Sequence, residues 1–158
     1  MIYHVIRFTP KPGLSQDQVD AALEKMREAN RAMTPPVVRS AVGRDFGGEF
    51  EYAAVSVMED LDAYEEMMNH PAHLEVDRIG LPLVDTFMSF DISDGMDPEV
   101  GERIAAIHRR RFESRPDIAE LVSDIGEYTG SAAPGRHGTR RAPAAPESGR
   151  AGPGRLRR

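Results

Sequence analysis

Short segments of alternating hydrophobic period, cut apart by proline, constrain this chain more than any other feature. A period of two marks strands and a period near 3.6 marks helices. Ile2 to Thr9 alternates, with His4, Ile6 and Phe8 on one face and Tyr3, Val5 and Arg7 on the other, which predicts a strand. Pro10, Pro12 and Gly13 end it. Ser15 followed by Gln18 is a capping-box pattern, and Val19, Ala22, Leu23, Met26 and Met33 then recur at helical spacing up to Pro35-Pro36. Val37 to Gly43 predicts a second strand and Asp45-Phe46-Gly47-Gly48 a turn. Phe50 to Met58 predicts a third strand, with Phe50, Tyr52, Ala54, Ser56 and Met58 on one face. Asp60 caps a second helix to about Met68, and Pro71 restarts helical structure after Asn69-His70. Beyond Pro82, Val84 to Ile92 predicts a fourth strand, with Phe87, Ser89 and Asp91 opposite Met88, Phe90 and Ile92.

The order β-α-β-β-α-β is the α+β, ferredoxin-like split unit, and it occupies residues 1–93. Both faces of its strands carry apolar side chains. One face packs the helices; the other is an exposed patch in a monomer, and such patches mark interfaces. A homodimer in which two sheets close into an α/β barrel is therefore expected. A charge placed at Ala54 or Ser56 is expected to weaken folding and association together.

Residues 94–129 read as a helical appendage. Asp97-Pro98 starts a helix with Val100, Ile104, Ile107 and Arg111 on one stripe, and Ile118, Leu121, Val122 and Ile125 share a face of a second, short one. The run Arg109-Arg110-Arg111 is expected to be a solvated helix end. Residues 130–158 are expected to be a disordered basic tail, dispensable for folding, because they hold almost no large apolar residue.

Charge divides the chain at the same place. Residues 130–158 carry seven arginines and one acid, a net +6, which leaves −12 on the first 129 residues. An acidic body repels phosphate, so nucleic acid is not an expected partner of the fold itself. No apolar run reaches the ~20 residues of a membrane span, and the N-terminus is too short and polar for a signal peptide, so a cytoplasmic setting is expected. The chain has no cysteine, which excludes disulfides, thiolate metal sites and cysteine nucleophiles.

Asn69-His70-Pro71-Ala72-His73-Leu74 is the segment richest in chemistry. Two histidines three apart lie on one side of a helical turn. His70 before Pro71 suits a helix cap. Metal binding by the pair needs further ligands, for which Asp77 or Glu75 are available without fixed geometry, and no metal is assigned.

These segments carry a resemblance. MIYHVIRFTPKPGLS, VRSAVGRDF, the apolar third strand, NHPAHLEV and LPLVDTFMSFDI are similar, in order and spacing, to the stress-responsive A/B-barrel (Dabb) family over residues 1–93. The resemblance implies a dimeric α+β barrel and leaves residues 94–158 outside. A polyketide-cyclising member uses the second histidine of its HPAH segment, which corresponds to His73, and a tyrosine six residues earlier, where this chain has Met67. His4 matches a pocket residue of that family, and Asp91 an acidic residue at the end of the last strand. Tyr64, nine residues before His73, is not expected to replace the tyrosine.

The chemistry such a site requires is a base that removes a proton next to a carbonyl and a donor that stabilises the enolate oxygen. His73 is the expected base, with its tautomer fixed by Asp91 or a backbone carbonyl, and Tyr52 the expected donor. His4, Ile6, Phe8, Ala54, Ser56, Phe87, Ser89 and Asp91 are expected to line the substrate pocket. No cofactor is needed, and the rate is expected to rise through the ordinary imidazole pKa. One functional reading is a dimeric barrel that binds a small apolar or aromatic, polyketide-like molecule and acts as a cofactor-independent cyclase or lyase. The alternatives are a non-catalytic stress-responsive dimer and, by analogy of fold alone, an antibiotic-biosynthesis-type monooxygenase.

Overall fold

Five strands form one sheet in the order β2-β3-β1-β4-β5 in the computed structural model, which describes residues 1–133. The strands are β1 (Ile2–Pro10), β2 (Arg39–Arg44), β3 (Tyr52–Met58), β4 (Val84–Ser93) and β5 (Glu127–Gly130). The helices are α1 (Gln16–Ala32), α2 (Leu61–Asn69), α3 (Pro71–Gly80), α4 (Val100–Ser114) and α5 (Pro116–Ser123). The first four strands are antiparallel and reproduce the ferredoxin-like order; β5 runs parallel to β4.

Local chemistry sets the helix starts. Ser15 and Gln18 form both halves of the capping box of α1. The Asp60 carboxylate accepts from the Ala63 N–H at 2.9 Å. His70 caps α3 through Nδ1, which accepts from the Ala72 N–H at 3.2 Å, and Pro71 takes the first helical position. Asp97 instead closes a turn onto the Glu99 N–H, so α4 begins three residues beyond it.

Register places the site. His4 pairs with Ser56 and Asp91, Ile6 with Ala54 and Ser89, and Phe8 with Tyr52 and Phe87. These three cross-strand rows occupy one face. All of the helices contribute to the two buried apolar clusters on that side; α1 lies against α3, α3 against α5 and α2 against α4. Ala54 and Ser56 therefore face the protomer's own core, and a charge there attacks folding rather than a contact between sheets. The opposite face holds Tyr3, Val5, Ala53, Val55, Met88 and Phe90, all half-buried, and Ile92, half-exposed. None of these residues belongs to either cluster.

The C-terminal segment departs from the expected appendage. Ile104 and Ile107 enter the cluster built on Met58, Tyr64 and Met67, while Ile118, Val122 and Ile125 enter the one built on Phe8 and Phe87. Residues 100–133 thus share the core of the first 93 residues. The tail does not begin at 130: Gly130 is in β5, and Ala132 and Ala133 are buried. The rest of the expected tail, 134–158, lies outside the described residues. Arg111 is not a solvated helix end but buried, whereas its neighbours Arg109 and Arg110 are exposed. Among the described residues, no helix is long and apolar enough to cross a membrane.

Candidate functional site

Between the sheet and the helices lies a cavity of about 130 Å³. Eight residues expected at the site are on its wall: His4, Ile6, Phe8, Ala54, Ser56, Phe87 and Ser89 from the sheet, and His73 from α3. Tyr52 and Asp91 are not. The Tyr52 ring stacks on Phe8 with centroids 5.7 Å apart, and its hydroxyl accepts from Gln16 Nε2 at 3.2 Å, under the start of α1. Its hydroxyl is thus engaged away from the cavity. Asp91 stands behind His4 and holds its Nδ1 at 2.8 Å. The carboxylate accepts, so Nδ1 carries the proton and Nε2 presents a lone pair. His4 Nε2 makes no hydrogen bond among the described residues, and His4 lines the cavity.

Asp91 is thus the partner of His4 rather than of His73. Burial pushes its carboxyl up, but the His4 hydrogen bond and the adjacent Ser131 hydroxyl outweigh burial and hold the carboxyl below its ordinary value. Tyr64 is fully buried and reaches this cluster from α2: its hydroxyl is 3.4 Å from His4 Nδ1 and 2.9 Å from His108 Nε2. The Tyr64 hydroxyl and His108 Nε2 share a hydrogen bond in which either can be the donor, and burial raises the tyrosine pKa well above its ordinary value. His108 Nδ1 is buried without a partner. Burial, reinforced by the nearby His4, pushes the His108 imidazole down to about 3.

A second polar group centres on Asp77. Its carboxylate is ion-paired with Arg111 of α4 and lies 3.6 Å from His73 Nε2, one helical turn away. His73 Nδ1 faces the Met67 sulfur. Burial pushes His73 down to about 4; Asp77 pulls it up, and Arg111 pushes it down again. His73 is therefore neutral at neutral pH, but it is a much weaker base than a free imidazole.

Reasoning from the sequence missed His108, Arg111 and Tyr128 on the cavity wall. The signal for the first two was present. On the α4 stripe Ile104, Ile107 and Arg111, residue 108 completes the i, i+3, i+4, i+7 pattern, so a histidine and an arginine sit on the apolar face. Tyr128 arrives on β5, in register with Phe87, and its hydroxyl meets Ser89 Oγ at 2.9 Å.

The family model for the stress responsive A/B barrel domain matches residues 2–94. No match to a curated protein was found. Among solved structures, a dimeric ferredoxin-like protein of unknown function from Thermobifida fusca YX is 22% identical, with 58% of this chain and 89% of that one covered and a TM-score of 0.54. A Dabb family protein with a ferredoxin-like fold from Mesorhizobium loti MAFF303099 is 21% identical over 60% of this chain and 96% of its own, with a TM-score of 0.54. A hydroxynitrile lyase from Passiflora edulis is 18% identical over 61% of this chain and 96% of its own, with a TM-score of 0.53. These structures share the fold, and the family match spans more than half of the sequence: the chain belongs to the stress responsive A/B barrel domain family.

Proposed function

We propose that the protein is a cofactor-independent lyase that moves a proton on a small, mainly apolar carbonyl compound. The observation that carries this reading is His4, backed by Asp91 at 2.8 Å, on the wall of an apolar cavity that also holds His73. Asp91 fixes the tautomer and compensates the charge that arrives with a proton at Nε2, the task a carboxylate performs behind a general base. His4 therefore takes the role first expected of His73. The base removes a proton from the carbon beside the carbonyl and the C–H electron pair moves onto the carbonyl oxygen; as the enolate collapses, the bond from the next carbon to its leaving group breaks, and the leaving group takes the proton back from His4. The enolate oxygen needs a donor, which the Tyr52 hydroxyl is badly placed to be.

Size narrows the substrate. A cavity of about 150 Å³ holds one benzene ring, so about 130 Å³ suits a molecule of one ring or a few carbons and is small for an extended polyketide. This favours lyase chemistry over ring closure of a long chain. The likeness to the Passiflora edulis hydroxynitrile lyase is one of fold, and adds that a lyase occurs on it. Sheet-to-sheet dimerisation through the Tyr3, Val5 and Val55 face belongs to the same reading, since that face is apolar and uncovered.

The test is deuterium exchange. Methyl protons of acetophenone in D₂O, followed by proton NMR, are expected to exchange faster with the protein present. His4→Gln is expected to slow this exchange by ~10²–10⁴-fold while the protein stays folded. Absence of exchange across a panel of small ketones and aldehydes favours the non-catalytic binding dimer.

A further inference from the structure

We propose that the C-terminal segment makes this cavity a carbonyl-binding site, with Arg111 as the residue that holds the ligand's oxygen. This rests on the reading of the cavity as a small-molecule site, but not on any proton transfer. The family match ends at residue 94. Beyond it, His108, Arg111, Phe112, Val122, Tyr128 and Ala132 line the same cavity as His4 and His73. The wall is thus completed by residues that the family domain does not contain.

Arg111 is only 5% exposed, and Arg side chains are rarely withdrawn from water without full pairing. A guanidinium has five N–H donors. Nη2 donates to Asp77. Nε is buried without a partner, and Nη1 makes no hydrogen bond among the described residues. The side chain therefore has donors in excess of the protein's acceptors, on the wall of a mainly apolar space. An acceptor from a ligand fits that need.

Charge selects the kind of acceptor. Asp77 already balances Arg111, and the neighbouring His73 and His108 are pushed far below neutral pH by burial, so they add no positive charge. Asp91 adds a negative one behind His4. A carboxylate ligand would bring a further negative charge into this space. A neutral carbonyl oxygen takes the free Nη1 donors without that cost. The ligand class is a neutral ketone or aldehyde whose apolar body, about one ring in size, lies among Ile6, Phe8 and Phe87.

Three probes of similar size test this: acetophenone, ethylbenzene, which lacks the oxygen, and benzoate, which carries the charge. Binding is read by NMR shift titration of the full chain, without turnover. Acetophenone is expected to bind at least about tenfold more tightly than either of the others, the scale of one hydrogen bond to a charged donor. In Arg111→Met the advantage over ethylbenzene is expected to disappear while ethylbenzene binding stays the same. Since Arg111→Met leaves the partly buried Asp77 carboxylate without its arginine, the double variant Arg111→Met/Asp77→Asn provides the same comparison without the stranded charge. The proposal is overturned if benzoate binds best, if no probe binds at millimolar concentration, or if acetophenone and ethylbenzene weaken together in both variants. Should acetophenone bind through Arg111 and yet show no deuterium exchange, the carbonyl site stands and the lyase reading fails.

Discussion

The histidines differ in task because their partners differ. His70 caps α3 with Nδ1, and His70→Ala is expected to cost about 1 kcal/mol of stability, the usual worth of a cap. His73 lies against Asp77 and Arg111, with its pKa at about 4. If His73 were the base, the pH–rate profile would turn over near 4 instead of near 6.5 and be flat from pH 6 to 8. An activity that rises between pH 6 and 7 and survives in His73→Ala assigns the base to another group. Acid stability follows from the same burial. In the unfolded chain both imidazoles take up protons near 6.5, whereas in the folded protein His73 does so only near 4 and His108 only near 3. Their contribution is complete above about pH 6.5 and declines as pH falls through that window. Between pH 7.5 and 4.5 the melting temperature is expected to drop, by the equivalent of a few kcal/mol in total. Asp91, held below its ordinary value, loses its contribution only at still lower pH. A melting temperature constant down to pH 4.5 contradicts the buried, neutral state of both imidazoles.

At the scale of elements, β5 is the addition with the largest consequences. It pairs with β4 from Thr86 to Ser89, carries Tyr128 to the cavity and returns the chain through Ser131, whose N–H donates to Ser89 O at 2.9 Å. Gly130 permits this. Its φ is +121°, and a Cβ there would stand 1.6 Å from Ser89 O. Gly130→Ala is expected to cost on the order of 2–4 kcal/mol, from strain plus a backbone clash. Thermal melting is expected to shift down by roughly 5–15 °C, and an unchanged midpoint would remove β5 from the cooperative unit. Truncation after Gly126 deletes the same strand and is expected to lower the midpoint as well. This differs from the expectation that everything after Thr129 is dispensable, because Ala132 and Ala133 are buried.

For the whole molecule the open question is what covers the outer face of the sheet. The protein from Thermobifida fusca YX with this fold is described as dimeric. The apolar row on Tyr3, Val5, Ala53, Val55, Met88 and Phe90 is the surface on which a second copy would sit. Val55→Asp is expected to convert a dimer to a folded monomer in sedimentation velocity, while Ala54→Asp, which points into the protomer's core, is expected to impair folding itself. A wild-type protein that sediments as a monomer at micromolar concentration contradicts the dimer. Separation of the two phenotypes at adjacent positions tests the face assignment directly, because one residue along a strand exchanges core for surface.

The sequence by itself determined the first four strands, the caps at Ser15, Asp60 and His70, and the face on which His4, Ser56 and Asp91 lie, because each depends on periodicity or on contacts a few residues apart. It also held the stripe of α4, but a run of three arginines pulled the reading of Arg111 toward solvent. Only tertiary structure showed that Asp77, from another helix, offers that guanidinium a partly buried partner. The same holds for Tyr64: nine residues from His73 along the chain, it enters the cluster through His4 and His108, which lie 60 and 44 residues away. Strand β5 left little trace in the sequence, since four residues with one large apolar side chain carry no period. Its place is decided by the open edge of β4 and by Gly130, where the backbone passes Ser89 too closely for a Cβ. Hydrogen bonds between distant segments and the packing of charge against charge have no local signature, so the pairing of Asp91 with His4, rather than with His73, could be decided only by the folded protein.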